Sequence, residues 1–408
     1  MATQSPLTGI DIYNHPRVIE GYLRKAEESQ RMSPANKETI KTYYRSMIND
    51  ALRMPTIIKH LQAIIVLGDR IEGKPFHEMT REDFEKIVFS LRSNPRLSPH
   101  SVHRQLICFR KFYKWQSGGE TYPDCVKWIR PNASLKNGKL PDSLLTQEEV
   151  KKMINAARHP RDLCLLSILN ELGCRVGELL GIDVRHIEDC GEYYRVTIQH
   201  SKTTPRKLKL IDSKPFIAKW LNIHPRKEGS NSPLFIKIGS VGIGKRMPYF
   251  ACRALIRKIA VRAGVDKGVN PHNWRHSTAT RYAGHFSYSN LCYWFGWVIG
   301  SKTASVYVHL NGRDLDGAVD EMRGKKTVKR FEDTLTVKTC QQCRLENGGI
   351  NDLCERCGAA LTLNGVFQKE DRMEKMELEI KARQKVLEEY MRFQNEKIAK
   401  LESTLPKE

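Results

Sequence analysis

At 408 residues the chain is too long for one small hydrophobic core, so two or three units are expected. No run of about 18 apolar residues occurs, and the start MATQSPLTGIDIYNHP has no basic stretch followed by an apolar one, so neither a membrane-spanning helix nor secretion is expected. The formal charge is +22 while Val366 to Glu408 balances ten Lys/Arg against ten Asp/Glu, so the whole positive excess lies upstream and favours a polyanion such as nucleic acid.

From Asn36 to Gln116 apolar residues recur at three- and four-residue intervals, which predicts helices over KETIKTYYRSMINDAL, PTIIKHLQAIIVLGDRI, TREDFEKIVFSLR and SPHSVHRQLICFRKFYKWQ. Thr80 and Ser98 read as N-caps, and Thr80 with Asp83 as a loose capping box. The last helix interleaves His103, Arg104, Arg110, Lys111 and Lys114 with Phe109, Phe112, Tyr113 and Trp115. Such a helix can pack its aromatics inward and offer its cations to phosphates, although a solvated charged face over a core stripe explains the aromatics equally well.

A stretch rich in Pro, Asn, Gly and Lys follows and reads as a linker. Thr146 then caps TQEEVKKMINAA, opening a second unit that contains helical RDLCLLSILNEL and RVGELLGI. Two β-rich runs, YYRVTIQ and RKLKLID, flank the turn HSKTTP, and helical pattern resumes from about Pro248 to Leu310.

Four pieces of this unit stand together: ELGCRVGELLGI with Arg175, HSKTTP with Lys202, PHNWRHSTAT with His272 and Arg275, and GWVIGSKTASVYVHL with Trp297 and Tyr307. Singly, each is ordinary, because most such residues are structural. Together they describe a phosphoryl-transfer site. Two arginines can clamp the non-bridging oxygens of one phosphodiester. A tyrosine beside two guanidiniums is expected to have its phenolate favoured, with a neighbouring histidine accepting the proton. A lysine at a hairpin tip can protonate a departing 5′ oxygen. No carboxylate pair of metal-binding spacing accompanies these groups, so positive side chains take the place of catalytic metal ions.

On these motifs the chain resembles the tyrosine recombinase (phage integrase) family, and is most similar to its archaeal integrase branch, where GW, a GS-containing loop and YVHL occur in the same order. The resemblance covers about residues 36–316. It implies Arg175 and Arg275 as the clamp, Glu178 as the acidic support of Arg175, His272 as proton acceptor and Tyr307 as nucleophile. Lys202 is the hairpin lysine, with Lys207 and Lys209 weaker candidates. Many members carry histidine where Trp297 stands; an indole N–H donates one hydrogen bond and accepts no proton, which leaves Trp297 positioning and packing.

The resemblance implies a site-specific recombinase that forms a 3′-phosphotyrosyl intermediate without ATP, nucleotide or catalytic metal. It further implies double-stranded DNA as substrate, a homotetramer in the synapse, a monomer or weak oligomer when free, no membrane partner, and a cytoplasmic, nucleoid-associated protein of an archaeal virus or provirus. Two alternatives stand beside it: a resolvase or topoisomerase-like enzyme acting on one replicon, and a DNA-binding regulator with an inert site.

Seven cysteines are scattered singly, while Cys340, Cys343, Cys354 and Cys357 form two CxxC knuckles. Four thiolates at this spacing predict a structural zinc ribbon, with no open coordination position for catalysis. Two disulfides or a redox pair are the alternatives, disfavoured by the other, reduced-looking cysteines. The final helix places Met373, Met376, Ile380, Leu387, Tyr390 and Leu401 near heptad core positions, but Arg383, Gln394 and Lys397 interrupt them, so an autonomous coiled coil is not expected.

The expected fold is mostly α with a small β-sheet. It divides into an N-terminal segment (1–35), a helical core-binding, SAM-like DNA-binding domain (36–130), a linker (131–145), an α+β catalytic domain (146–332), a zinc ribbon (336–363) and a charged helix (366–404).

Overall fold

The computed structural model describes residues 10–131, 143–199, 205–229, 231–239, 241–301, 303–305, 307, 323, 335–369 and scattered positions between 371 and 384. Lys202, most of the expected linker and most of the final helix lie outside the described residues.

Six helices build the first unit: α1 (His15–Glu28), α2 (Pro34–Asn49), α3 (Met54–Arg70), α4 (Arg81–Arg92), α5 (Pro99–Gln116) and the short α6 (Asp124–Lys127). Their starts follow from local chemistry. Ser33, Thr80 and Ser98 accept hydrogen bonds from the amides of Asn36, Asp83 and Ser101, and Thr80–Asp83 closes a full capping box. In α5 the aromatics point inward: Phe109 and Phe112 are fully buried, and each such ring contributes roughly 1.5–3 kcal/mol. Arg104 and Lys111 face solvent, whereas Arg110 lies over the ring of Tyr122.

The helical core begins earlier than residue 36. Ile19 and Ala26 of α1 share one buried cluster with Ile40, Ile57 and Phe109, because α1 spaces its apolar residues over the surface of α3. Residues before α1 cross to the second unit, where Ile12 is buried in its core and its carbonyl accepts the amide of Tyr249 at 2.9 Å.

The second unit runs through α7 (Gln147–Ala156), α8 (Pro160–Leu172), α9 (Val176–Leu180), β1 (Ile187–Asp189), β2 (Tyr194–Ile198), β3 (Arg206–Leu210), α10 (Lys214–Asn222), α11 (Tyr249–Arg262), α12 (Pro271–Ala283) and α13 (Tyr288–Phe295). The strands form an antiparallel sheet in the order β1-β2-β3, with Val196 opposite Leu208. Helix α8 is buried almost throughout and packs against α10, α12 and β3, making it the axis of this core. The architecture is mostly helical with small sheets, as expected. A short pair, β4 (Lys338–Thr339) with β5 (Glu346–Asn347), belongs to the four-cysteine segment.

Candidate active site

Two helix ends place the first arginine. Helix α8 stops at Gly173, which takes the left-handed conformation (φ 53°). A Cβ at Gly173 would stand 2.7 Å from Phe295 and 2.8 Å from Thr278, so glycine is required there twice over, by conformation and by space. The turn leaves Arg175 as N-cap of α9, and Glu178 reaches back to its amide at 3.0 Å.

Glu178 also receives the Arg175 guanidinium at 2.9 Å and that of Arg206, at the start of β3, at 2.9 Å. Arg206 and Glu178 are almost fully buried, whereas a third of the Arg175 side chain remains exposed. Burial raises the pKa of Glu178, but Arg206 and then Arg175 outweigh it and hold the carboxyl below its ordinary range.

Arg275 is buried, and backbone carbonyls at two helix C-termini orient it: Gly173 after α8 at 3.1 Å and Phe295 of α13 at 2.7 Å. The carbonyl of Gly296 likewise accepts Arg175 at 3.4 Å. Carbonyls left without intrahelical donors, at the negative ends of two helix dipoles, thus aim both guanidiniums. Burial and then the charge of Arg175 lower the pKa of Arg275 to about 10, which leaves it charged at neutral pH. Two guanidiniums bond the Glu178 carboxylate and that of Arg275 adds a third positive charge nearby, so two positive charges are in excess among these four groups, a setting that attracts an anion.

Helix α12 supplies the rest of the face. Asn270 caps it and Pro271 fills its first position. His272 and Arg275, three residues apart, share one side of the helix. Arg175, His272 and Arg275 line one cleft of about 570 Å³ together with Tyr13 and Arg253.

Tyr307 lies behind this cleft, 5% exposed. Its ring stacks on Trp297 at 5.3 Å, Trp297 stacks on Phe295 at 4.9 Å, and the Arg275 guanidinium stands 5.2 Å from the Trp297 ring. Burial pushes the phenol pKa up to about 12, and Arg275 only partly opposes this. The expectation of a favoured phenolate is therefore corrected: removing the ring from water costs the charged form more than the nearby guanidinium returns. The imidazole that meets the phenol is that of His276, through Nδ1, and not that of His272. The His272 ring packs edge-on against His276 at 4.3 Å.

Arg206 and His276 were missed from the sequence. Both had a signal. Arg206 shares the buried phase of β3 with Leu208 and Leu210, and an arginine in that phase requires a partner. His276 follows His272 by four residues, one helical turn on the same side.

The four cysteine sulfurs of the last segment lie within 4.8 Å of one another, and the cysteines are thiols and not disulfides. Cys340 and Cys357 are 3.6 Å apart and Cys343 and Cys354 3.5 Å apart. A tetrahedron with metal–sulfur bonds of about 2.3 Å has edges of about 3.8 Å, so the set fits a single thiolate-bound ion. Asn347 points its amide at Cys354 Sγ (3.6 Å), a second-layer donor suited to a thiolate. The ribbon rests on α10, with Lys214–Glu346 at 2.5 Å, Lys219–Glu355 at 3.1 Å and Gly348 against the Phe216 ring.

The phage integrase family model matches residues 143–313. The tyrosine recombinase XerD of Corynebacterium glutamicum is 27% identical over 217 residues, covering 50% of this chain and 69% of the relative. XerC of Alcanivorax borkumensis is 24% identical, covering 66% and 81%. Among solved structures, XerH bound to its palindromic difH substrate after cleavage superimposes with a TM-score of 0.52 at 17% identity, over 79% of this chain and all of that one. A lambda integrase dimer bound to a COC′ core site gives a TM-score of 0.53 at 15% identity, over 68% of this chain and 77% of that one. Residues 143–313 form a phage integrase (tyrosine recombinase) domain, similar to the Xer recombinases.

Proposed function

We propose that the protein is a site-specific DNA recombinase in which Tyr307 cuts and rejoins strands through a 3′-phosphotyrosyl link. The observation that carries this reading is the meeting of Arg175, His272 and Arg275 on one cleft, with Tyr307 stacked behind Arg275 and Trp297.

Arg175 and Arg275 hold the non-bridging oxygens of the scissile phosphate, and Glu178 together with Arg206 keeps Arg175 in place. His272, exposed at the head of α12, reaches the same phosphate. Tyr307 Oη forms the bond to phosphorus as its proton passes to an imidazole of α12 and the P–O5′ bond breaks, and Lys202, between β2 and β3 in the sequence, protonates the leaving 5′ oxygen. The bond energy stays in the phosphotyrosyl ester, so rejoining by a 5′-hydroxyl needs no ATP. Trp297 walls the site and donates its one N–H to a phosphate oxygen.

Double-stranded DNA is the substrate in this reading, and the basic face of α5 with Arg104 and Lys111 contributes to the grip. A homotetramer performs full exchange; one lambda integrase neighbour is a tetramer bound to a Holliday junction. Zinc is the ion for Cys340, Cys343, Cys354 and Cys357, where it would serve to fold the ribbon. In this reading the protein works on DNA in the cytoplasm, as part of an archaeal mobile element. Among the described residues no helix is long and apolar enough to cross a membrane.

The test is covalent capture on nicked duplexes. The wild-type protein forms an SDS-stable adduct and Tyr307→Phe forms none. Tight binding by the wild type with no adduct would establish the inert regulator instead.

A further inference from the structure

Between Tyr307 and the cleft stands a pair of histidines on one side of α12. His276 Nδ1 meets the Tyr307 phenol oxygen, and the tilted rings have centroids 5.8 Å apart. Among the described residues the other ring packed on Tyr307 is that of Trp297, whose parallel stack covers its face and offers no proton acceptor. His272, one turn earlier, packs edge-on against His276 at 4.3 Å and is exposed on the cleft that Arg175 and Arg275 share. The two imidazoles therefore have different surroundings. His272 lines the cleft beside the two arginines, and His276, half-buried, meets Tyr307.

We infer that His276, and not His272, is the catalytic residue that takes the proton from Tyr307. The inference rests on the reading of Tyr307 as nucleophile. As Tyr307 Oη attacks phosphorus, its O–H bond breaks and the proton passes to Nδ1 of His276. The P–O5′ bond breaks in the same step, and the 5′ oxygen leaves with a proton from a separate donor. In the reverse step the attacking 5′-hydroxyl gives its proton back to that separate donor as its oxygen bonds phosphorus, and His276 returns its own proton to the departing phenolate, so one group serves the phenol in both directions. A buried phenol makes such a partner necessary, because water does not reach it readily. His272 then acts on the phosphate and not on the phenol.

The test uses the full-length protein and nicked duplexes enriched from a randomised pool by covalent capture on the wild type. His276→Ala should bind these duplexes as the wild type does and form the adduct about 100-fold more slowly, the ordinary scale of a lost general base. Imidazole in solution should restore at least tenfold of this rate, and substituted imidazoles should restore more as their basicity rises. A residue that only shapes the site would show no such dependence. His272→Ala should slow the reaction without any imidazole rescue. Should His276→Ala fold poorly in a thermal melt, His276→Asn keeps a hydrogen-bonding group near the phenol but cannot take its proton, and it should be slow as well. Wild-type adduct rates in His276→Ala or His276→Asn, or rescue by imidazole of His272→Ala and not of His276→Ala, would overturn the assignment. Failure of the nucleophile reading looks different: Tyr307→Phe would then still form the adduct.

Discussion

The rings of Trp297 and Tyr307 lie face to face, with centroids 5.3 Å apart and planes 6° from parallel. The left-handed Gly296 (φ 59°) that ends α13 turns the chain so that Trp297 falls between Phe295 and Tyr307. The indole is thus a spacer. It fixes the plane of the phenol and stands against the Arg275 guanidinium at once.

Replacing that spacer should affect cleavage according to shape. An aromatic pair of this kind is worth roughly 0.5–1.5 kcal/mol beyond its burial. Trp297→Ala, which removes the flat surface, should slow adduct formation about tenfold, the upper end of this scale. Trp297→His keeps a planar ring with a donor and should lose only a few-fold. Single-turnover adduct rates decide the matter, and equal losses in the two variants would count against a positioning role.

Glu178 joins Arg175 to Arg206 and is itself almost fully buried. Glu178→Gln leaves two guanidiniums sharing a neutral amide, and a broken buried ion pair costs about 3–5 kcal/mol. The melting temperature should fall by many degrees, and adduct formation should fall with it. The pH dependence has a definite sign. Because the folded pKa of Glu178 is depressed, its contribution is fully present above the unfolded value of about 4.3 and is lost as pH falls through the folded value. The stability gap between wild type and Glu178→Gln should hold steady from neutral pH down to that unfolded value and narrow below it. A gap that narrows on going alkaline would contradict the assignment.

Tyr307 has the opposite linkage. Its folded pKa is raised to about 12, so the neutral phenol stabilises the fold below the unfolded value of about 10, and this contribution is lost as pH climbs toward 12. In paired melts, wild type should lose stability relative to Tyr307→Phe above pH of about 10. Curves that stay parallel would mean that the phenol ionises as it does in water.

What could be read from the sequence was what local spacing determines. Thr80, Ser98 and Thr146 announce their helices through hydrogen bonds to residues three positions on, and all three caps are present. His272 and Arg275 share a face for the same reason. Arg206 was legible in principle, since RKLKL alternates and its first residue falls in phase with the buried leucines. The lysines between them drew the reading outward. The burial of Tyr307 was not legible, because it is made by Phe295 and Trp297 across a turn whose hand depends on Gly296. Nothing local marks Ile12 either; it is buried only because the second unit offers an edge at Tyr249.

Gly173 should tolerate no side chain. Alanine there adopts a left-handed conformation at a cost of about 1–2 kcal/mol and drives a methyl group into Phe295 and Thr278, adding about 1–3 kcal/mol of overpacking. Its carbonyl also orients Arg275, so displacement of this turn disturbs the clamp directly. Gly173→Ala should lower both the melting temperature and the adduct rate. Gly191, another positive-φ glycine with nothing near its missing Cβ, is the control: Gly191→Ala should cost only the backbone term. Equal effects at the two sites would remove steric contact from the argument.

The ribbon makes a final separable prediction. Its described part buries few apolar side chains of its own, so an ion held by the four thiolates would supply most of its folding free energy. Metal analysis should find one zinc per chain, and Cys354→Ser should abolish it. Since the ribbon covers α10 through Lys214–Glu346, Lys219–Glu355 and the Gly348–Phe216 contact, chelation should expose the Phe216 face and lower the main melting transition as well. The surface ion pairs contribute little, about 0–1 kcal/mol each, so most of that shift should come from the apolar contact. Phe216→Ala should therefore uncouple the main transition from zinc, while Lys219→Ala should not. A melting temperature insensitive to chelation in the wild-type protein would show that the ribbon does not brace the catalytic unit.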